Sequence, residues 1–361
     1  MAFVPARDAI GLEEMQDLCA EVVVVPYADH VWARLVRAWW RFVRPKVYGR
    51  NFSWRYVYAL RRLLKRQVFD VAVVDGMMAE YGRYIQPVPT VLDEVDLFFV
   101  VAHQYFRDEK RPLPRLWAGF DWLRTTWRET SHLQNYDGVF VRSQKDAQLV
   151  QEFAPQQRVA VLPPWFEGLE QLTDIPIERH MQPPVLLFVG AMYIPANVTA
   201  VTYFAKQVFP LLQARIPNIQ FMIVGSQPTP TVQALASNPG ITVTGEVPNL
   251  KPYYAQATIC VVPLFTGGGI IVKTLNGLAS GRPVVATTIG NSGTGAQNGR
   301  DLYIVPPDPL VMAEAVLRLL EDESEWMRLA RNGRKFVVVH YNWEQIVTHL
   351  EQFLDTTCSS T

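Results

Sequence analysis

At 361 residues the chain is long enough for two domains of ordinary size, and its 49% hydrophobic content lets both bury a full core. Lys and Arg (34) balance Asp and Glu (34), which excludes a nucleic-acid binder that relies on an overall basic surface. Cys19, Cys260 and Cys358 lie far apart, which excludes a disulfide framework and a cysteine-based metal spacing and suits a reducing cytoplasm. Met1–Gly11 lacks a basic start leading into an apolar run, so no secretory leader is expected. No apolar stretch approaches the ~20 residues of a membrane span.

In chain order, Val22–Val25 is a β-branched run of the kind found in strands buried on both faces. Val31–Phe69 is basic throughout and contains no acid. Arg37, Arg41 and Arg44 alternate there with Trp39 and Trp40, and two helices broken near Pro45–Asn51 fit the pattern. Two readings are open: an anionic membrane or phosphate-bearing acceptor facing these residues, or a solvated basic face over an aromatic core. Phe69–Asp75, Thr90–Asp93, Gly138–Val141 and Arg158–Leu162 read as further strands, with Ser143 placed to cap the helix after the third. Leu97–Thr130 is a long aromatic-rich helical region in which His103 is either a site residue or a packed histidine. Strands alternating with helices at this pace imply a parallel sheet covered on both faces.

Residues 167–184 are polar, carry Pro176, Pro183 and Pro184, and lack periodicity, so they read as an interdomain linker. The rhythm then restarts. Val185–Val189 ends in Gly190, Ile219–Val224 in Gly225 and Thr242–Thr244 in Gly245. Glycines after strand ends mark the carboxyl edge of an open sheet, where ligands bind. Thr258–Pro263 then runs into Gly267, Gly268 and Gly269, followed by a helix from about Ile270 to Gly281. Side-chain-free residues before a helix let amides approach an anion, the dipole favours negative charge, and Lys273 adds a full cation in the first turn. Ile271, Leu275 and Leu278 share a core-facing side, while Lys273, Asn276 and Ser280 face elsewhere, toward a cleft. A diphosphate is the natural guest; the competing reading is an ordinary glycine turn. Helices over Pro309–Glu321, Ser324–Val339 and Trp343–Leu354 complete the chain.

Together Gly190, Pro195–Val198, Gly225, Gly245-x-Val247, the glycine triplet, Lys273 and Gly281-Arg282-Pro283 resemble the C-terminal half of group 1 glycosyltransferases, family 4. Asp308-Pro309 and Tyr341-Asn342-Trp343-Glu344 extend the likeness. The resemblance implies an α/β GT-B architecture, two Rossmann-like domains whose parallel sheets face a central cleft. The expected domains are residues 1–166, a linker 167–184, a nucleotide-sugar domain 185–342, and a helix and tail 343–361 returning to the first domain. It implies a nucleotide-sugar donor held by Gly190, Gly245, Val247, Gly267, Gly268, Gly269, Lys273 and Asn276, with Lys273 stabilising the leaving diphosphate. It further implies retaining transfer, no cofactor and no bound metal, with a saccharide or lipid-linked acceptor and a cytoplasmic location peripheral to the inner face of the membrane. Asp96, in the segment Asp93-Glu94-Val95-Asp96 that replaces the family's Asp-x-His-Asn, joins His103 on the acceptor side.

The departures are specific. Ile271 stands where the family has arginine, Asn276 where it has a ribose-binding glutamate, and Val95 where it has histidine. Met1–Pro5 resembles the end of the family's second strand, so the family's first strand, loop and helix are missing here: either the start is misassigned or truncated, or the unit is supplied otherwise. An active transferase, a non-catalytic nucleotide- or partner-binding relative, and a GT-B sugar-nucleotide epimerase are the three readings.

Overall fold

A computed structural model describes residues 2–4, 12–26, 52–95, 97–163, 169–267 and 269–359. The basic stretch containing Arg37, Trp39, Trp40, Arg41 and Arg44 lies outside the described residues, as do Asp96 and Gly268. Two compact units are present, residues 1–162 with 349–361, and residues 163–348.

The first unit carries a parallel sheet of β3 (Ala72–Asp75), β4 (Thr90–Asp93), β5 (Gly138–Val141) and β6 (Val159–Val161), paired in that order. A separate parallel pair joins β1 (Ala2–Val4) to β2 (Val24–Pro26). All four residues of β5 are buried, as its unbroken apolar run requires. Ser143 caps the helix Gln144–Phe153 by accepting from the Asp146 amide at 3.2 Å, the role its sequence position predicts. The aromatic region divides into Phe98–Asp108 and Pro112–Leu133, a helical hairpin fastened by buried Glu129, which accepts from the Phe98 and Phe99 amides. Residues 349–361, from the helix Trp343–Cys358, belong to this unit. There Phe353 packs 4.9 Å from Phe140, into space that a side chain on Gly138 would fill.

The second unit is built on six parallel strands: β7 (Val185–Val189), β8 (Gln220–Val224), β9 (Ile241–Val243), β10 (Ile259–Val262), β11 (Val284–Ala286) and β12 (Tyr303–Ile304). Their spatial order is β12-β11-β10-β7-β8-β9. The chain winds outward from β7 to β9, crosses back to β10 beside β7, and winds out the other way. The crevice at the carboxyl ends of β7 and β10 is therefore the topological switch point, where open α/β sheets bind ligand.

Residues 169–184 do not run free. Leu169, Leu172 and Ile175 are buried in the second unit's core, and the Ile175 and Pro176 carbonyls accept from Arg334 and Arg282. Composition concealed this because the anchoring donors come from side chains more than a hundred residues away. Among the described residues no helix is long and apolar enough to cross a membrane.

Candidate functional site

Three glycines line the carboxyl edge of the second sheet. The Gly190 amide donates to Val224 O at 3.0 Å, and the Gly225 amide to Gly245 O at 3.1 Å. A Cβ on Gly225 would stand 1.8 Å from Gly190 O, so only glycine permits this approach of one strand end to the next. Gly245 sits at φ +76° with open space around it, and half-buried Val247 packs against the core.

The helix after the glycine loop spans Val272–Ala279, shorter at both ends than the sequence implies. Ile271 and Leu275 are buried on its core side as expected. Ser280 is not in a cleft: it is fully buried and donates to Gly277 O, because a hydroxyl in the last turn has a backbone acceptor within reach. The helix mouth also offers fewer bare amides than expected. Ile271 N donates to Ser292 O, Val272 N to Ile270 O and Thr274 N to Ile271 O. Gly267 and Gly269 flank this mouth with φ of +155° and +66°.

The charge at the site is therefore carried chiefly by Lys273. Its ammonium donates to Asn197 Oδ1 at 2.9 Å and lies 5.1 Å from the centre of the Phe188 ring. Among the described residues no carboxylate pairs with it. Burial alone pushes its pKa down to about 8, since desolvation penalises the charged form.

Asn197, within the Pro195–Val198 segment, is the hydrogen-bond partner of Lys273. It is 4% exposed, and its Nδ2 donates to Ala191 O at 2.9 Å, which turns Oδ1 toward the lysine. A Cβ on Gly190 would come within 2.9 Å of Asn197 Nδ2 and 3.2 Å of Lys273 Cε, so this glycine makes room for the pair. A neutral partner positions the ammonium without cancelling it. Asn197→Asp should therefore raise the Lys273 pKa yet weaken pyrophosphate binding about tenfold or more, because the new carboxylate neutralises the cation. Calorimetry with inorganic pyrophosphate checks this; undiminished affinity would contradict it.

Asn276 is half-buried and approaches the buried Tyr254 hydroxyl without a well-formed hydrogen bond. Burial raises the Tyr254 pKa well above its usual value, so this hydroxyl stays protonated. Ile271, which stands where the family has arginine, is packed into the core. In the first unit His103 is exposed, with its ring 4.7 Å from Trp122. Arg142 Nη2 donates to both carboxylate oxygens of Asp93, at 2.6 and 2.9 Å, beside the ends of β4 and β5.

Residues 183–322 match the family described as "Glycosyl transferases group 1". A protein of Klebsiella pneumoniae, "Uncharacterized 44.6 kDa protein in cps region", is 24% identical over 174 residues, 46% of this chain and 44% of its own length. The chain thus spans less than half of that curated relative. Among solved structures, sucrose-phosphate synthase from Thermosynechococcus elongatus superposes with a TM-score of 0.62 at 21% identity, covering 85% of this chain and 78% of the other. Anabaena HepE, solved in complex with UDP-glucose, superposes with a TM-score of 0.62 at 13% identity over 99% and 98% of the two chains. These structural likenesses speak to the fold. Residues 183–322 thus resemble the group 1 glycosyltransferases, and the two parallel-sheet units have the GT-B fold.

Proposed function

We propose that the protein transfers a sugar from a UDP-linked donor to a saccharide or lipid-linked acceptor of a cell-envelope polysaccharide, with retention at the anomeric carbon and no bound metal. The observation that carries this is the desolvated Lys273 ammonium, positioned by Asn197 at the sheet's switch point and lacking a carboxylate. Solved relatives hold UDP-glucose, and UDP with GlcNAc; the Klebsiella relative's cps region points to polysaccharide. In this reading Gly190, Gly267 and Gly269 let the donor's diphosphate approach backbone. Lys273 meets the charge that develops on it as the glycosidic bond breaks. Peripheral attachment to the inner membrane surface in the cytoplasm is part of the same proposal.

The test is release of UDP from a panel of UDP-sugars by the full chain with polysaccharide or lipid-linked acceptors. Release supports the transferase. Tight UDP binding without release from any donor favours the second reading, a catalytically impaired relative, which the burial of Ile271 in place of a second cation supports.

Donor binding should also follow the lysine's proton. UDP-glucose carries a constant diphosphate charge above neutrality, whereas free Lys273 loses its proton near pH 8. A bound anion holds that proton on, so binding above pH 8 must take one up. Affinity should stay level to about pH 8 and then fall toward tenfold per unit. A flat profile to pH 9.5 would remove Lys273 from the donor site.

A further inference from the structure

The helix Pro112–Leu133 is apolar on two opposite sides. One side is the hairpin's interior, where Thr125, Glu129 and Leu133 are buried and Trp122 stacks on Phe106 at 5.7 Å. The other carries Leu113, Leu116, Phe120, Leu123 and Trp127, between 53% and 73% exposed, with Trp117 packed edge-on against Phe120. At 100° per residue these six positions fall within a stripe roughly 120° wide and about 20 Å long. A soluble helix ordinarily buries one such stripe and leaves the other side polar.

Charge around the start of the stripe is net basic. Arg107, Lys110 and Arg111 rim that start and are exposed, while Arg115 lies over the Phe106 ring on the packed side at 5.2 Å. The two nearby acids are engaged, Asp108 by Arg107 and Glu109 by Arg111. Along Leu113–Trp127 the lone acid, Asp121, is bound by Arg124 at 2.6 Å. Bulky apolar and aromatic side chains beside a basic rim, on a helix whose other side is already packed, match the boundary between acyl chains and anionic headgroups.

We propose that the exposed side of Pro112–Leu133 docks on an anionic phospholipid surface, with Leu116, Phe120 and Trp127 entering the interface and Lys110 and Arg111 meeting the headgroups. This rests on hairpin residues distinct from the basic run at 31–69, and it specifies the surface by which the proposed transferase reaches a membrane.

The test is cosedimentation of the full chain with vesicles of phosphatidylglycerol and phosphatidylcholine, and with phosphatidylcholine alone. The wild type should partition at least tenfold better onto the mixed vesicles. The triple variant Leu116→Ser, Phe120→Ser and Trp127→Ser should lose at least tenfold on them. Lys110→Glu with Arg111→Glu should erase the preference for the anionic lipid. All three positions are exposed, so melting temperatures should stay close to wild type, and UDP release with a water-soluble acceptor should be unchanged. Equal sedimentation of wild type and triple variant overturns the proposal. So does a wild-type dimer that the triple variant dissociates with no change on vesicles, which assigns the stripe to a second copy. Loss of UDP release in the wild type itself would count against the transferase reading and leave the vesicle result standing.

Discussion

Lys273→Met is expected to make the ligand-free chain more stable and to abolish its response to UDP. The folded-state pKa lies near 8, below the usual 10.5, so at neutral pH the fold holds a charge it disfavours. One pKa unit corresponds to 1.36 kcal/mol, which gives roughly 3 kcal/mol as an upper figure, less after allowance for the lysine's partial exposure. Methionine removes that penalty and keeps much of the stem's packing, but leaves Asn197 Oδ1 without its donor, a loss of about 1 kcal/mol or more. The net expectation is a melting temperature about 2–6 °C higher. By linkage, the wild type should gain stability as pH rises from 8 toward 10.5, where the unfolded chain binds the extra proton, and the variant should not. Saturating UDP should raise the wild-type melting temperature and leave the variant's unmoved, with UDP-sugar turnover down about a hundredfold or more. A structural lysine predicts the opposite sign: a variant that melts lower and still binds UDP would contradict the assignment.

Arg282→Met should be the most damaging substitution in the second unit. Arg282 is 1% exposed, and its guanidinium donates to Tyr254 O, Ala255 O, Pro176 O and Glu178 O. Burial lowers its pKa, yet four carbonyls from two chain segments depend on it. Stripping their donor should cost about 3–5 kcal/mol, after the relief of a buried charge is counted. Arg282→Lys should recover less than half, because one ammonium cannot reach carbonyls spread around a planar fork. Urea unfolding of the full chain, read by hydrogen exchange across β10 and β11, should show the midpoint collapse in both variants. An unchanged midpoint for either would reduce Arg282 to a bystander of the Gly281–Pro283 turn.

What the sequence disclosed and what it withheld follow the range of each interaction. The strand–helix alternation, the strand ends at Gly190, Gly225 and Gly245, and the placement of Lys273 in a first helical turn are local patterns, and all can be read along the chain. Asn197 could not be tied to Lys273 in that way, since their bond spans 76 positions and only the crossing from β9 back to β10 brings them together. The same limit hid Arg282 and Arg334, whose acceptors lie in a stretch that composition marks as a linker. Ser280 misled because helical spacing assigns a direction and not a depth, and this helix is buried around most of its circumference. Pro112–Leu133 shows the same weakness from the other side. Apolar residues on two faces blur the periodicity, so its aromatic content was visible while the split between packed and exposed sides was not.

In the proposed transferase, the carboxyl ends of β7 and β10, with Asn197 and Lys273 between them, hold the donor's diphosphate. Hydrogen exchange of the full chain with and without UDP addresses it most directly. Amides in peptides covering 188–197 and 264–276 should slow markedly on UDP binding. Protection elsewhere with these peptides unaltered, at UDP concentrations that saturate the chain, would place the nucleotide at another site and contradict the account.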